Sequence, residues 1–288
     1  MLRSACVPLL KIAATRHELL ASLAEIRPLD RRDITFEPSD SMVVDAIFWF
    51  GVQGYEGILA KLWADLCSKA TSVLEVGGNI GFYSVIGGKA AKGSYTVVEP
   101  VPEVAMTLRA NLRRNGLSAV EVLEAAATTE ADAHDACLSL PNEGRAMLVG
   151  AHLRGEVEIS KRSISRTIMV KGLPIAHLIK GRDLIKIDAE GSEHALLAAA
   201  LPDIGQHKPT IVVEVLPESE KLAALIADMA ARNGYTINIV PAYGDDTIKT
   251  VSSSDFSASL PAQFNSKDIV LSCAPLASPS PCPRRVDS

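Results

Sequence analysis

The chain has 288 residues, 48% of them hydrophobic, with 29 Lys plus Arg against 34 Asp plus Glu and a net charge of −5. This composition supplies a sizeable core and argues against a polyanionic partner such as nucleic acid. Five cysteines at positions 6, 67, 137, 273 and 282 show no Cys-x-x-Cys spacing, so neither a zinc site nor a disulfide framework follows. No apolar run reaches the length of a membrane span. The opening ten residues hint at a signal peptide, but Lys11, Arg16, His17 and Glu18 interrupt the apolar run too early. A cytoplasmic protein is expected.

In chain order, residues 9–27 have helical spacing, with Leu10, Ala13, Leu20 and Leu23 among the apolar positions. A polar stretch with Pro28 and Pro38 follows, and 42–50 reads as extended or mixed. Residues 57–68 predict a helix carrying Ile58, Leu62, Trp63 and Leu66 on one side. Residues 73–76 predict a strand that runs into Gly77-Gly78-Asn79-Ile80-Gly81, then a helix over 82–91 and a second strand over 95–98 ending on Glu99. A helix over 104–115, stopped by Gly116, leads to a third strand at 120–123. Strands at 136–140 and 167–171 flank a loop-rich insertion at about 141–166. A fourth strand (183–188), a helix (192–201), a fifth strand (210–215), a helix (218–233) and two last strands (235–240 and 268–272) complete the pattern.

Strands alternating with helices predict an α/β protein with a mainly parallel sheet wound on both faces. Residues 1–56 read as an N-terminal cap and 57–273 as the main domain. The Pro- and Ser-rich tail 274–288 is too poor in apolar residues to build a core and is expected to be disordered.

The strand, glycine turn, helix, strand and acid form one βαβ unit with a carboxylate placed for a ribose. A dinucleotide fingerprint starting at Gly77 needs glycines at 79 and 82, where Asn79 and Phe82 stand. Without that close approach the turn is ill suited to a pyrophosphate, and Glu75 at the end of the strand would repel one. An acid there suits a cationic ligand, which points to S-adenosylmethionine: ammonium, sulfonium, carboxylate and ribose, with no phosphate.

The chain resembles the FkbM-type methyltransferases over about residues 54–215. The resemblance rests on Gly54-Tyr55-Glu56, on Glu75-Val76-Gly77-Gly78-Asn79-Ile80-Gly81-Phe82-Tyr83-Ser84, and on Val98-Glu99-Pro100. Further blocks are Asn111-Leu112-x-x-Asn115, Lys186-Ile187-Asp188-Ala189-Glu190-Gly191-Ser192-Glu193 and the strand ending at Glu214-Val215. The Lys-Ile-Asp-x-Glu-Gly-x-Glu block is the most specific. Gly78 and Ala189 stand where that family more often shows alanine and valine, and 141–166 matches nothing in the pattern. The resemblance implies a Rossmann-like class I methyltransferase fold with a seven-stranded sheet whose last strand is antiparallel and inserts beside the fifth. It also implies O-methylation of a sugar, polyketide or other small-molecule hydroxyl, and places Tyr55 and Glu56 over the methionine end of the cofactor.

Ligands of open α/β sheets bind outside the carboxyl ends of the strands. Glu75, Glu99, Asp188 and Glu214 therefore converge on one rim. Glu99 and the following Pro100 are expected at the ribose. Glu75 orients the turn formed by Gly77, Asn79 and Gly81, or reaches the ammonium through water. Ala126, within an alanine run, is placed against the adenine ring. Methyl transfer to a hydroxyl needs alignment and a proton acceptor. Asp188 is the expected base or metal-adjacent carboxylate, with Glu190 positioning cofactor or acceptor and His194 the alternative base. Lys186 shares the Asp188 face by strand alternation and is expected to pair with it or with Glu214. Glu190 and Glu193 also read as acids at a helix N-terminus. His134, His152 and His177 have no supporting motif. Asp188, Glu190 and Glu214 leave magnesium open without establishing it, and oligomeric state is not legible. The N-terminal segment and the insertion are expected to form an acceptor lid, and the basic stretch 161–166 a solvated face. The rival readings are a nicotinamide oxidoreductase and a non-catalytic protein that keeps the fold.

Overall fold

A computed structural model of the protein describes residues 20, 22–39, 41–131, 134–141, 152–153, 164–216, 219–242 and 247–276. Near its start, Ile26 and Phe36 exchange two backbone hydrogen bonds of 2.8 Å in an isolated antiparallel bridge. The expected helix over 9–27 therefore does not extend to its predicted end, and most of that range lies outside the described residues. Helix α1 (Met42–Phe50) replaces the expected extended segment: the Ser41 hydroxyl accepts the Val43 N–H, and Val43, Val44, Ile47 and Phe48 are buried. Phe48 belongs to the core, while Phe50 is exposed. Helix α2 (Gly57–Lys69) buries Ile58, Leu59, Leu62 and Trp63 as its spacing predicts.

The first sheet-forming run is β1 (Ser72–Val76), α3 (Phe82–Ala90), β2 (Ser94–Val98), α4 (Pro102–Arg114) and β3 (Glu121–Leu123). Next come β4 (Ala126–Thr128), β5 (His134–Pro141), β6 (His152–Leu153) and β7 (Ile164–Pro174), which pair in the order β4-β7-β5-β6 as a separate four-stranded sheet. The two strands expected beside the insertion are β5 and β7, paired antiparallel. Most of the insertion itself lies outside the described residues, as does the first half of the basic stretch; its last member, Arg166, pairs with Glu103 at 3.1 Å. The chain closes with α5 (Ile175–Leu178), β8 (Leu184–Ile187), α6 (Glu193–His207), β9 (Thr210–Glu214), α7 (Glu220–Asn233), β10 (Thr236–Val240), β11 (Lys249–Val251), α8 (Ser259–Gln263) and β12 (Asp268–Ser272).

The main sheet has the order β11-β10-β12-β9-β8-β1-β2-β3. β3, β2, β1, β8 and β9 are parallel neighbours, and β12 runs antiparallel between β9 and β10. This is the expected seven-stranded arrangement with one addition. The three-residue β11 pairs with β10 and makes the sheet eight-stranded. Alternation divides the core into two layers. Val73, Val97, Val212 and Val270 face Trp63 and Ile86 on one side. Leu74, Ile185, Ile211 and Leu271 face Leu196 and Ile226 on the other. Among the described residues, no helix is long and apolar enough to cross a membrane.

Candidate active site

The glycine turn leaves β1 with Gly77 at φ +85°, where an added Cβ would lie 1.8 Å from the Asp188 carbonyl oxygen. Only glycine permits that contact, so the β1 and β8 strand ends meet there backbone to backbone. The Gly77 and Gly78 amides both donate to the Val98 carbonyl, at 2.9 and 3.1 Å. Asn79 takes φ +49°, and its side-chain oxygen accepts the Ile80 N–H at 2.7 Å; Gly81, at φ +89°, starts α3. Glu99 closes the turn from β2. Its two oxygens accept the Asn79 and Val101 N–H groups, at 2.8 and 2.9 Å. It is only 6% exposed, and burial pushes its carboxyl up to about 7. Half-buried Pro100 follows. Asn111 ties this turn to the N-terminal segment: its amide donates to the Ile80 carbonyl at 2.7 Å and its oxygen accepts the Glu37 N–H at 2.6 Å.

Glu75 lies beneath the rim rather than on it. Its carboxylate accepts hydrogen bonds from Ser84 (2.7 Å) and Tyr95 (2.6 Å), and burial raises it to about 7. Its place next to the strand's last residue suggests a turn-facing acid, whereas alternation turns it toward α3. Above it, Tyr83 donates to Glu56 at 2.6 Å, and the half-buried Tyr55 packs edge-on against Phe82 at 5.0 Å. Ala126 is buried in β4 against the layer that holds Val101 and Val104.

The β8 strand end delivers Asp188, which is half-buried. Buried Lys186 lies on its face as alternation predicts, with Nζ 2.8 Å from the Asp188 carboxylate and 4.6 Å from the Tyr83 ring centre. Glu193, not Glu190, closes the following loop: its carboxylate accepts the Ala189 N–H at 2.8 Å and the Gly191 N–H at 3.0 and 3.1 Å. Burial raises Glu193 to about 7. Glu190 holds a left-handed conformation at φ +52°. Half-buried His194 follows on α6. At the end of β9, Glu214 pairs with Lys267 at 2.8 Å. Asp188, Glu193 and Glu214 bring carboxylate oxygens within 4.8 Å of one another. Two of the three already hold an ammonium and the third holds backbone amides, so the cluster is satisfied by the chain itself. His134 and His152 lie in the second sheet, and His177 is exposed on α5.

One residue at this edge carries no sequence signal. Asp268 opens β12 and is the register partner of Glu214. Because β12 is antiparallel, its first residue lies at the rim where the parallel strands end. A search for acids at strand ends passes over it.

A β3-β2-β1-β8-β9-β12-β10 sheet with a glycine turn after β1 and an acid after β2 defines a Rossmann-like class I methyltransferase fold. The FkbM methyltransferase domain matches residues 75–237, which is more than half of the chain, and the protein belongs to that family. Among solved structures, the chain is similar to methyltransferase FkbM from Methylobacillus flagellatus KT, at 19% identity and a TM-score of 0.45, over 70% of this chain and 43% of that one. It thus spans less than half the length of that protein. It is also similar to an O-methyltransferase from Bacillus cereus in complex with SAH, at 15% identity and a TM-score of 0.40, over 74% of this chain and 79% of that one. A third similar structure is the O-methyltransferase TomG from Streptomyces achromogenes in complex with SAM, at 14% identity and a TM-score of 0.39, over 74% and 78% of the two chains. Comparison with curated proteins returns no match.

Proposed function

We propose that the protein is an S-adenosylmethionine-dependent O-methyltransferase that methylates a hydroxyl of a sugar or other small molecule. The observation that carries this reading is the pairing of Glu99 with the Gly77–Gly81 turn. Each Glu99 oxygen accepts one amide and keeps a lone pair for a ribose hydroxyl. The turn's glycines let the backbone close against Asp188, Val97 and Leu108, where a Cβ would collide. Phe82, where a third dinucleotide glycine would stand, is buried at 4% exposure in the core, which opposes a nicotinamide cofactor.

When bound, S-adenosylmethionine supplies a methyl group made electrophilic by the sulfonium. The residues of this chain hold and orient. Glu99, Pro100, Asn79, Gly77 and Gly81 hold the nucleoside end. Tyr55 and Glu56 cover the methionine end, with Glu56 fixed by Tyr83. Glu75 acts from below, by fixing Ser84 and Tyr95 under the turn. Ala126, in β4, borders the adenine side. With the nucleoside anchored at β1 and β2, the reacting end lies toward β8, and the acceptor lies over β8, β9 and β12. Asp188, held on one side by Lys186, orients the acceptor hydroxyl; Glu190 borders the same loop, and His194 follows it at the start of α6. The N-terminal segment and the insertion after β5 supply the walls that choose the acceptor. Magnesium is given no part.

Calorimetric titration with S-adenosylmethionine, S-adenosylhomocysteine and NADH tests the reading. Saturable binding of the two adenosyl ligands, lost in Glu99→Ala, supports it, while binding of NADH alone would overturn it.

A further inference from the structure

We propose that Asp268 is the general base that takes the proton of the acceptor hydroxyl. The inference rests on the methyl-transfer reading above and assigns one step of it. Asp268 lies outside the matched family domain and comes from the one antiparallel strand inserted between β9 and β10.

The neighbouring acids are engaged. Asp188 is held by Lys186, Glu214 by Lys267, Glu56 by Tyr83, Glu193 by the amides of Ala189 and Gly191, and Glu99 by those of Asn79 and Val101. The Asp268 carboxylate, by contrast, makes no hydrogen bond or ion pair among the described residues, although its backbone N–H donates to Ser266 Oγ at 3.1 Å. It is half-buried at the rim, and its cross-strand neighbour is Glu214. The charged groups that face it are Glu56 at the start of α2, Lys186 and Asp188 from β8, and Glu214 from β9; Tyr55 and Tyr83 feel its charge as well. Burial and then the charge of Glu56 hold its carboxyl well above the usual carboxylate range, against the pull of Lys186. A carboxylate with spare lone pairs and raised basicity, at the edge where the acceptor sits, is suited to proton abstraction. The Asp188 carboxylate, by comparison, is already paired with the Lys186 ammonium at 2.8 Å.

In the step itself, the acceptor O–H bond breaks and its proton passes to an Asp268 oxygen. The hydroxyl oxygen bonds the methyl carbon as the carbon–sulfur bond breaks, and that electron pair stays on sulfur. Protonated Asp268 then returns its proton to water.

The first readout needs no acceptor. In full-length protein carrying 13C-labelled aspartate carboxyls, the resonance absent from Asp268→Asn is followed against pH. It is expected to titrate above the ordinary aspartate range. S-adenosylmethionine should lower that titration more than S-adenosylhomocysteine does, because the two differ by the sulfonium charge. In parallel, S-adenosylhomocysteine formation is measured with a panel of methyl glycosides and simple phenols. Asp268→Asn should lower turnover about 100-fold or more while leaving S-adenosylmethionine affinity within about threefold. Asp268→Glu should restore part of the rate and move the acidic limb of the pH profile. An ordinary Asp268 titration indifferent to the sulfonium, or wild-type turnover in Asp268→Asn, overturns the proposal and leaves the methyl-transfer reading standing. Failure of the wild type to bind S-adenosylmethionine overturns both.

Discussion

Glu99 shows how one side chain joins structure to binding. Its oxygens fix the backbone of Asn79 and Val101, so the acid that would read a ribose also sets the turn that cradles it. A hydrogen bond to a charged acceptor is worth roughly 1.5–3 kcal/mol, and two ribose hydroxyls on one carboxylate make Glu99→Ala lose on the order of 100-fold in S-adenosylmethionine affinity. Glu99→Gln keeps the shape and one amide contact, so its loss should be smaller, and calorimetry on the two variants separates charge from scaffolding. The carboxyl is raised from 4.5 to about 7 by burial, and in the proposed function the ribose is held by the charged form. Affinity should therefore climb as pH rises through neutrality in wild type and stay flat in Glu99→Gln. A flat wild-type profile would show that the acid does not touch the ligand.

At the scale of elements, the turn after β1 is set by what surrounds its glycines. A Cβ on Gly78 would lie 2.3 Å from a Val97 methyl and 2.6 Å from a Leu108 methyl, although the resemblance places alanine at this position more often. The core here is filled to the glycine. Gly78→Ala should cost about 1–3 kcal/mol by overpacking. Adding Val97→Ala, which opens the space, should cost less than the two single changes summed, and denaturant unfolding of all three variants checks it. The strand, turn, helix and acid were legible because a glycine turn between a 2-residue and a 3.6-residue period has few other uses. Helix α1 was not. Its run Val43-Val44-Asp45-Ala46-Ile47-Phe48-Trp49-Phe50 is almost wholly apolar, β-branched and aromatic, so neither period stands out. The helix is specified instead by the Ser41 cap, a Trp49 to Asp45 hydrogen bond of 3.0 Å and Gly51 at φ +75°. Ser41→Ala should accordingly cost about 1 kcal/mol, measured as a loss in thermal stability.

Across the whole molecule, the sheet order could be read from the alternation of elements, while the depth of individual charges could not. Glu75 and Asp268 show why. The first lies next to a strand end but is turned under the sheet's helical cover, and the second reaches the rim only because its strand runs backwards. Strand alternation decides the first and the antiparallel pairing of β12 the second. The consequence is a protein that keeps its acids unusually basic: Glu75, Glu99 and Glu193 all stand near 7 against an ordinary 4.5, chiefly through burial. A carboxyl raised in the folded state binds its proton more tightly there than in the unfolded chain. Between about pH 4.5 and 7 the folded state thus holds more protons, and stability falls as pH rises, by up to ~1.4 kcal/mol per pH unit for each such group. Below that window the contribution is fully present, and above it the contribution is gone. The ligand-free protein should melt higher near pH 5.5 than near pH 8, as followed by thermal denaturation, and Glu75→Gln should narrow the gap by removing one titrating group. S-adenosylmethionine held by ionised Glu99, as proposed, would act in the opposite sense, and its stabilisation should grow with pH as ligand linkage requires. A larger ligand-induced shift at the acid end of the range would mean that these carboxyls are not held where their burial puts them.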